Sequence, residues 1–488
     1  MEKSKLIKLG ISAILFLIIW LLPTTAFGVP GLTVIEQRVI AIFVLAAILW
    51  ILEPIPIWGT SVVVMVLMLL TTSDSMLSFF GGTEEEIGAT LKYKAIMAAF
   101  ADPTVMLFMG GFVLAIAATK YKFDATLART ILKPFGTKPK FVMLGFLAVT
   151  ALLSMFMSNT ATAAMMIAIL TPVLATMPET DNKGRVGLAL SIPVAANIGG
   201  IGSPIGTPPN VVAVGWLEKM EINVSFGTWM LLMVPVAMLI LFLAWIFLNK
   251  MFPCKQEKIE VKIEGEVDKS PKAMVVYFTF AITIFLWVFG KDLFGVNANV
   301  VALIPFAVFC LTGVFEKKDL AKIDWDVLWL VAGGFALGVG LEGEISGIED
   351  PDKAGHMMTM SKHIVSAIPF NSWPTLLIII GSGVLCLVMS TFMSNSATAA
   401  LLIPIFAAMA KGMGDQLAPY GGGITLIVGL ALSASFAMSL PISTPPNAIA
   451  YSKGFIKQKE MVIVGIFVGI ISLIIGYTVL FTLGGVLN

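Results

Sequence analysis

Apolar runs separated by short polar loops fill most of the chain, at 6–23, 36–54, 57–72, 104–120, 228–249, 273–290, 298–314, 325–341 and 461–485. Runs of about 17 to 25 apolar residues are the length of a helix that crosses a bilayer, so each of these predicts a transmembrane helix. Four more apolar stretches are interrupted by polar or Gly/Pro clusters: 141–177, 186–217, 374–410 and 423–452. Two of them carry almost the same segment, FMSNTATAA at 156–164 and FMSNSATAA at 392–400; the other two carry TPPN at 207–210 and 444–447. Broken segments at matching places in two halves point to a binding site near the bilayer midplane.

Loop charges give an orientation, because Lys and Arg in short loops accumulate on the cytoplasmic side. Let the N-terminus lie inside and let 141–177 and 374–410 be hairpins that enter and leave on one face. The cytoplasmic loops then hold Lys120, Lys122, Arg129, Lys133, Lys138 and Lys140, the six lysines of 250–272, then Lys317, Lys318 and Lys322, and finally Lys453, Lys457 and Lys459. The opposite face receives Glu84, Glu85 and Glu86 and, later, Glu342, Glu344, Glu349, Asp350 and Asp352. A full crossing by either segment would move every later loop to the other side and spoil that separation.

The predicted fold is therefore an all-α polytopic membrane protein with 11 transmembrane helices and two re-entrant hairpins. Residues 1–35 form the first helix and outer loop. Residues 36–250 form one repeat, with its hairpin at 141–177 and an unwound helix at 186–217. A cytoplasmic linker at 251–272 leads to the second repeat, 273–488, with a hairpin at 374–410 and an unwound helix at 423–452. Five crossings per repeat is an odd number, so the repeats are inverted and the hairpin tips approach from opposite faces. The basic, amphipathic segment 121–139 is expected to lie along the inner interface, and 343–370 in the corresponding place outside.

Composition agrees: 58% of the 488 residues are hydrophobic and 12% charged, with mean hydropathy +0.95, far from the quarter charged that is typical of soluble domains. The run at 6–23 follows Lys3 and Lys5 as a signal peptide would, but lacks a small-residue cleavage site and precedes many spans, so it reads as a helix of the fold. A net charge of +1 gives no sign of a nucleic-acid partner. Cys254, Cys310 and Cys386 lack metal-ligand spacing and read as core thiols. Glu53 reads as a helix-end residue, and His356 and His363 as solvated outer-loop residues. No eukaryotic targeting segment precedes the first span, which points to a bacterial inner membrane, with the N-terminus cytoplasmic and the C-terminus outside.

The chemistry sits in the repeated motifs. Ser158, Asn159, Thr160, Ser394, Asn395 and Ser396 carry neutral groups that both donate and accept hydrogen bonds. At a hairpin turn they adjoin the N-terminus of the second arm, where free N–H groups and the helix dipole favour an anion. Two such tips suit a ligand with two negative ends. The TPPN prolines remove the N–H groups that would bond Pro204, Ile205, Pro441 and Ile442, and Gly199, Gly200, Gly202 and Gly206 permit an unwound backbone. Freed carbonyls beside Ser and Asn oxygens suit sodium, one site per half. No Arg, Lys or His lies in these cores, so co-bound cations would balance a divalent anion whose burial is otherwise costly.

Paired SNT-type motifs, each followed by an unwound TP segment, resemble the divalent anion/sodium symporter family of dicarboxylate, citrate and sulfate cotransporters. The resemblance implies a homodimer with scaffold and transport domains and an elevator mechanism. It implies substrate contacts at Ser158, Asn159, Thr160, Ser394, Asn395, Ser396, Thr207, Pro208, Thr444 and Pro445. It implies sodium ligands at Ser154, Ser158, Asn159 and Gly206, and at Ser390, Ser394, Asn395 and Ser443. Ser396 stands where the family usually has Thr, which keeps the hydroxyl and changes the fit around the substrate.

The expected function is sodium-coupled symport of a C4 dicarboxylate such as succinate, malate or fumarate, with sodium as coupling ion and no other cofactor. Sodium-independent dicarboxylate exchange, and sodium-coupled citrate or sulfate transport, remain alternatives. A channel would need a continuous polar pore, whereas the polar residues cluster at two tips. An enzyme would need a nucleophile, metal cluster or acid/base pair at membrane depth, and the sequence places none there.

Overall fold

The computed structural model describes residues 3–261, 267–349, 357–366 and 373–484. Its longer helices, in order, are α1 (Lys3–Leu21), α2 (Val34–Leu52), α3 (Ile57–Thr71), α4 (Pro103–Lys120), α5 (Phe123–Leu132), α6 (Pro139–Ser154), α7 (Asn159–Thr176), α8 (Asn182–Gly200), α9 (Pro208–Lys219) and α10 (Phe226–Met251). They continue with α11 (Pro271–Phe294), α12 (Leu303–Leu311), α13 (Trp325–Leu341), α14 (Met360–Ser366), α15 (Thr375–Phe392), α16 (Asn395–Met413), α17 (Gly422–Ser435), α18 (Pro445–Ser452) and α19 (Gln458–Leu483). Among the described residues nine helical segments are long and apolar enough to cross a membrane, and three of these are hairpin arms. Phe278, Leu311, Leu377, Leu231 and Ile474 are each more than 60% exposed. An apolar outer surface of that kind suits lipid rather than water.

Local chemistry fixes where the helices start. The Thr33 hydroxyl accepts from the Glu36 N–H while Glu36 accepts from the Thr33 N–H at 2.7 Å, a reciprocal cap on α2. Asp102 caps α4 ahead of Pro103, Ser225 caps α10, and Ser270 caps α11 ahead of Pro271. Glu53 ends α2 in the left-handed conformation, its N–H bonded to the Leu49 carbonyl, as a helix-end residue should.

The helices pack as two groups. In one, α2 lies between α1 and α3, α13 runs along α3, and α11 and α12 pack on α4. In the other, α6 and α7 pack on α8, α15 and α16 pack on α17, and α10 and α19 join the two sides. Within this second group the halves interlock: α18 packs on α7, and α9 packs on α16. The helix after each break therefore lies against the hairpin of the other half. The groups meet where α13 touches α16 and α9, and also where α10 lies on α11, α16 on α2 and α9 on α4.

The segment 121–139 holds the helix α5; the described part of 343–370 holds β1 (Glu344–Glu349) and β2 (Met357–Thr359), paired antiparallel with Glu344 opposite Thr359, ahead of α14. Two expectations change. His363 is buried rather than solvated, because both ring nitrogens have partners, Nδ1 with Glu36 Oε1 and Nε2 with the Pro30 carbonyl, each at 2.8 Å. His356 lies outside the described residues. Of the thiols only Cys386 is buried; Cys254 is half-buried and Cys310 is exposed on α12.

Close packing in the first group rests on Gly110 in α4, where an added Cβ would overlap the Ala302 carbonyl and press on its Cβ at 2.7 Å. Gly110→Val should therefore lower the melting temperature of detergent-purified protein by several degrees, in line with the roughly 1–3 kcal/mol cost of overpacking. Gly381→Ala, with no atom within 4 Å of the new Cβ, should leave it unchanged.

Candidate functional site

The two hairpins turn at the repeated motifs. Helix α6 ends at Ser154 and α7 begins at Asn159 with Ser158 as its N-cap; α15 ends at Phe392 and α16 begins at Asn395 with Ser394 as its N-cap. The Ser394 hydroxyl accepts from the Ala397 N–H at 3.2 Å, a cap that Ser158 does not make. Ser154 and Ser390 hold the turns in place from below. Ser390 Oγ lies 2.8 Å from Asn395 Oδ1 and 2.9 Å from the Ala434 carbonyl. Ser154 Oγ makes the equivalent contacts with Asn159 Oδ1 and, at 2.8 Å, with the Ala196 carbonyl. Each serine so links the motif carboxamide of its hairpin to the helix that leads into the break.

The breaks run from 201 to 207 and from 436 to 444. Their prolines do not interrupt a helix from within. Pro208 and Pro209 open α9, and Pro445 and Pro446 open α18, in the first turn where the missing N–H has no helical partner to lose. The open backbone is held by two asparagines. Asn210 Nδ2 donates to the Gly200 and Ser203 carbonyls at 3.1 and 2.9 Å, and Asn447 Nδ2 to the Met438 and Leu440 carbonyls at 2.8 and 3.0 Å. A serine pins each loop to the first arm of the hairpin in its own half: Ser203 to the Met155 carbonyl at that arm's end, and Ser443 to the Thr391 carbonyl at 2.7 Å.

Glycines in the first break serve close approach and not unusual dihedrals, for none of them has positive φ. A Cβ at Gly200 would lie 2.8 Å from Asn159 Nδ2, and one at Gly206 would overlap the Gly200 carbonyl. Gly199 rests against the Ala151 backbone in the same way. The glycines thus let the motif carboxamide and the break lie in direct contact.

These elements enclose one cavity of ≈ 820 Å³. It brings together Ser158, Asn159 and Thr160 with Ser394, Asn395 and Ser396, and Gly206, Thr207 and Pro208 with Ser443, Thr444 and Pro445. Ser154 and Ser390 do not line it, since their hydroxyls point into the support just described. Sequence reasoning missed Asn197, which also lines the cavity and reaches into the second half. Its position in α8, one residue beyond the carbonyl that Ser154 contacts, is a signal visible only with the fold in hand. Apolar side chains complete the wall, among them Phe108, Phe112, Phe156 and Leu330.

The cavity extends to two lysines, Lys120 and Lys322, and two aspartates, Asp324 and Asp326. The lysines are already engaged. Lys120 Nζ lies 2.7 Å from Asp319 Oδ2 and 2.8 Å from the Val314 carbonyl, and Lys322 Nζ lies 3.0 Å from Asp319 Oδ1. Burial raises the Asp319 carboxyl, but hydrogen bonds from Lys120, the Glu316 N–H and Lys322 outweigh it and hold it down at about 2. No cationic side chain lies among the motif residues themselves.

A cavity lined by turns and broken helices, inside a bundle apolar enough for a bilayer, is the arrangement of a polytopic membrane transporter and not of an enzyme. The family described as the sodium:sulfate symporter transmembrane region matches residues 3–487, and the chain belongs to it. It is 32% identical over 432 residues to the sodium-dependent high-affinity dicarboxylate transporter 3 of Caenorhabditis elegans, covering 77% of this chain and 72% of that protein. It is 29% identical over 471 residues to the sodium-dependent dicarboxylate transporter SdcS of Staphylococcus saprophyticus, covering 90% and 84%. The structure of the Neisseria gonorrhoeae antimetabolite efflux pump MtrF shares the fold, with TM-score 0.51 and 12% identity over 86% of this chain and 94% of that one.

Because the Asp319 carboxyl is held below its unfolded value of about 4, the stability it contributes is complete above that pH and is lost as the pH falls toward 2. The gap in melting temperature between the wild type and Asp319→Asn should accordingly be widest above pH 5 and shrink on acidification.

Proposed function

We propose that the protein is a sodium-coupled symporter of C4 dicarboxylates such as succinate, malate and fumarate. The observation that carries this reading is the pairing of two hairpin turns and two TP turns in one cavity whose motif residues are all uncharged. Each turn offers hydroxyls, a carboxamide and the N–H groups of a helix start to one carboxylate. Two negative charges in such a site need balance, and the lysines at its rim are committed to Asp319. Sodium at the break carbonyls supplies it, with Ser158, Asn159 and Gly206 as ligands in one half and Ser394, Asn395 and Ser443 in the other. Ser154 and Ser390 act there through their backbone. Curated relatives at about 30% identity are named for sodium-dependent dicarboxylate transport, which supports the choice of ion and substrate class.

The wider reading is an elevator. The helix group that holds the site moves as one body against the other group, which stays fixed in a homodimer, in a bacterial inner membrane. In this reading eleven crossings in two inverted repeats put the termini on opposite faces, and the Lys-rich loops at 120–140, 250–272 and 453–459 favour the N-terminus inside and the C-terminus outside. On that orientation Lys120, Lys322 and Asp324 mark the cytoplasmic mouth of the cavity, so this conformation faces inward. The separation of the helices into two packed groups supports this division.

Reconstituted protein should take up succinate when sodium is outside and lose uptake when choline replaces it, with no counter-substrate in the vesicle. Uptake that ignores sodium but requires internal dicarboxylate would establish the exchanger instead, and a preference for citrate or sulfate in a substrate panel would reassign the ligand. Asn159→Ala and Asn395→Ala should each reduce uptake at least about tenfold, the loss expected for hydrogen bonds to a charged group, while the purified protein keeps its elution volume.

A further inference from the structure

Asn197 breaks the correspondence between the halves. Its counterpart by position relative to Ala196 and Ala434 is Ser435, whose hydroxyl turns back to its own helix at the Ala431 carbonyl, 3.0 Å away. Asn197 instead reaches across, with Nδ2 3.2 Å from Thr444 Oγ1 and 3.2 Å from Asn447 Oδ1. Asn197, Thr444 and Asn447 are all nearly fully buried, and Asn197 and Thr444 line the cavity.

The direction of every hydrogen bond in this cluster follows from its end. Asn447 Nδ2 lies against two backbone carbonyls, which only accept, so its amide hydrogens point there and its Oδ1 is an acceptor. The group facing that Oδ1 must donate, which fixes Nδ2 of Asn197 as the atom in contact. The same Nδ2 then donates to Thr444 Oγ1. Thr444 Oγ1 also accepts from the Asn447 N–H, at 3.3 Å. A hydroxyl has two acceptor positions and one hydrogen. With both acceptor positions occupied, the Thr444 hydrogen is left to point away from the protein, into the cavity.

We infer that Asn197 is a positioning residue for substrate: by filling the acceptor side of Thr444 Oγ1 it makes that hydroxyl an obligate donor to an anionic group of the ligand. Thr207, in the same place in the first half, makes no cap to its helix, and the Oδ1 of Asn210 is buried with no partner among the described residues. The two TP turns are therefore unequal. Only the second presents a hydroxyl whose polarity is set before the ligand arrives, and so it demands an acceptor, a carboxylate oxygen, at that end. The inference rests on the dicarboxylate reading of the cavity and adds to it which hydroxyl selects the charge.

The test is a double-mutant cycle on sodium-driven succinate uptake in proteoliposomes at saturating sodium. Thr444→Val and Asn197→Ala should each raise KM roughly tenfold, the loss expected for a hydrogen bond to a charged group, whereas Thr444→Ser, which keeps the hydroxyl, should raise it several-fold less than Thr444→Val. If Asn197 acts through the hydroxyl, adding Asn197→Ala to Thr444→Val raises KM no further. Multiplied single effects, or an unchanged KM in Asn197→Ala, overturn the inference. Should the alanine variant fail to fold, Asn197→Asp keeps the size and offers Thr444 only acceptors, drawing its hydrogen out of the cavity; a raised KM is expected and a normal one overturns the proposal. Absence of sodium-driven succinate uptake by the wild type overturns the transport reading and the inference with it. Normal wild-type uptake with multiplied effects overturns the inference alone.

Discussion

Two carboxamides hold the site open. Backbone that leaves the helix inside an apolar bundle exposes carbonyls that no water is there to satisfy, and each unpaired group is costly. Asn210 and Asn447 answer this by giving both amide hydrogens to carbonyls of the loop just before them. The loops can then stay non-helical for several residues without collapsing back into α-helix. Everything else at the site is arranged around those two loops: the serines that tie them to the hairpin arms, the glycines that let the motif asparagine lie on them, and the prolines that start the next helix at a fixed point.

The support is symmetric where it concerns backbone and asymmetric where it faces the ligand. Ser154 and Ser390 make the same pair of contacts, and Asn210 and Asn447 clasp equivalent carbonyls. The serine that pins the loop to the hairpin sits at opposite ends of the two loops, Ser203 early in one and Ser443 late in the other, with Gly206 at the place of Ser443. Gly206 is tight against the Gly200 carbonyl and has no room for a side chain. The first-half loop therefore presents bare backbone where the second presents a hydroxyl. Together with Thr160 against Ser396, and Asn197 against Ser435, this gives the two ends of the cavity different chemistry on the same frame.

Much of this was legible in the sequence, because membrane depth leaves few reasons for polar or Pro-rich segments. The turns at Ser158 and Ser394, the breaks before Pro208 and Pro445, and the convergence of the motif residues on one cavity follow from that constraint. Ser154 and Ser390 entered only through the family resemblance, and that their hydroxyls face the support helix is visible only in the fold. Asn197 was hidden because its partners lie roughly 250 residues away. His363 was misjudged because loop position suggests solvent, while the fold closes Glu36 and the Pro30 carbonyl around it. The strands before α14 pair across residues that carry no hairpin turn signal of the Asn-Gly kind.

Interlocking of the halves also sets an order on biogenesis. Helix α7 packs on α18, and the amide of Asn197 bonds residues 444 and 447. A nascent chain that has placed its first half in the bilayer holds a hairpin and a buried carboxamide without their partners until nearly the whole protein has been made. The site is assembled by the last segments to leave the ribosome, so a chain truncated before Pro445 carries most of the motif residues but lacks the surface they close against.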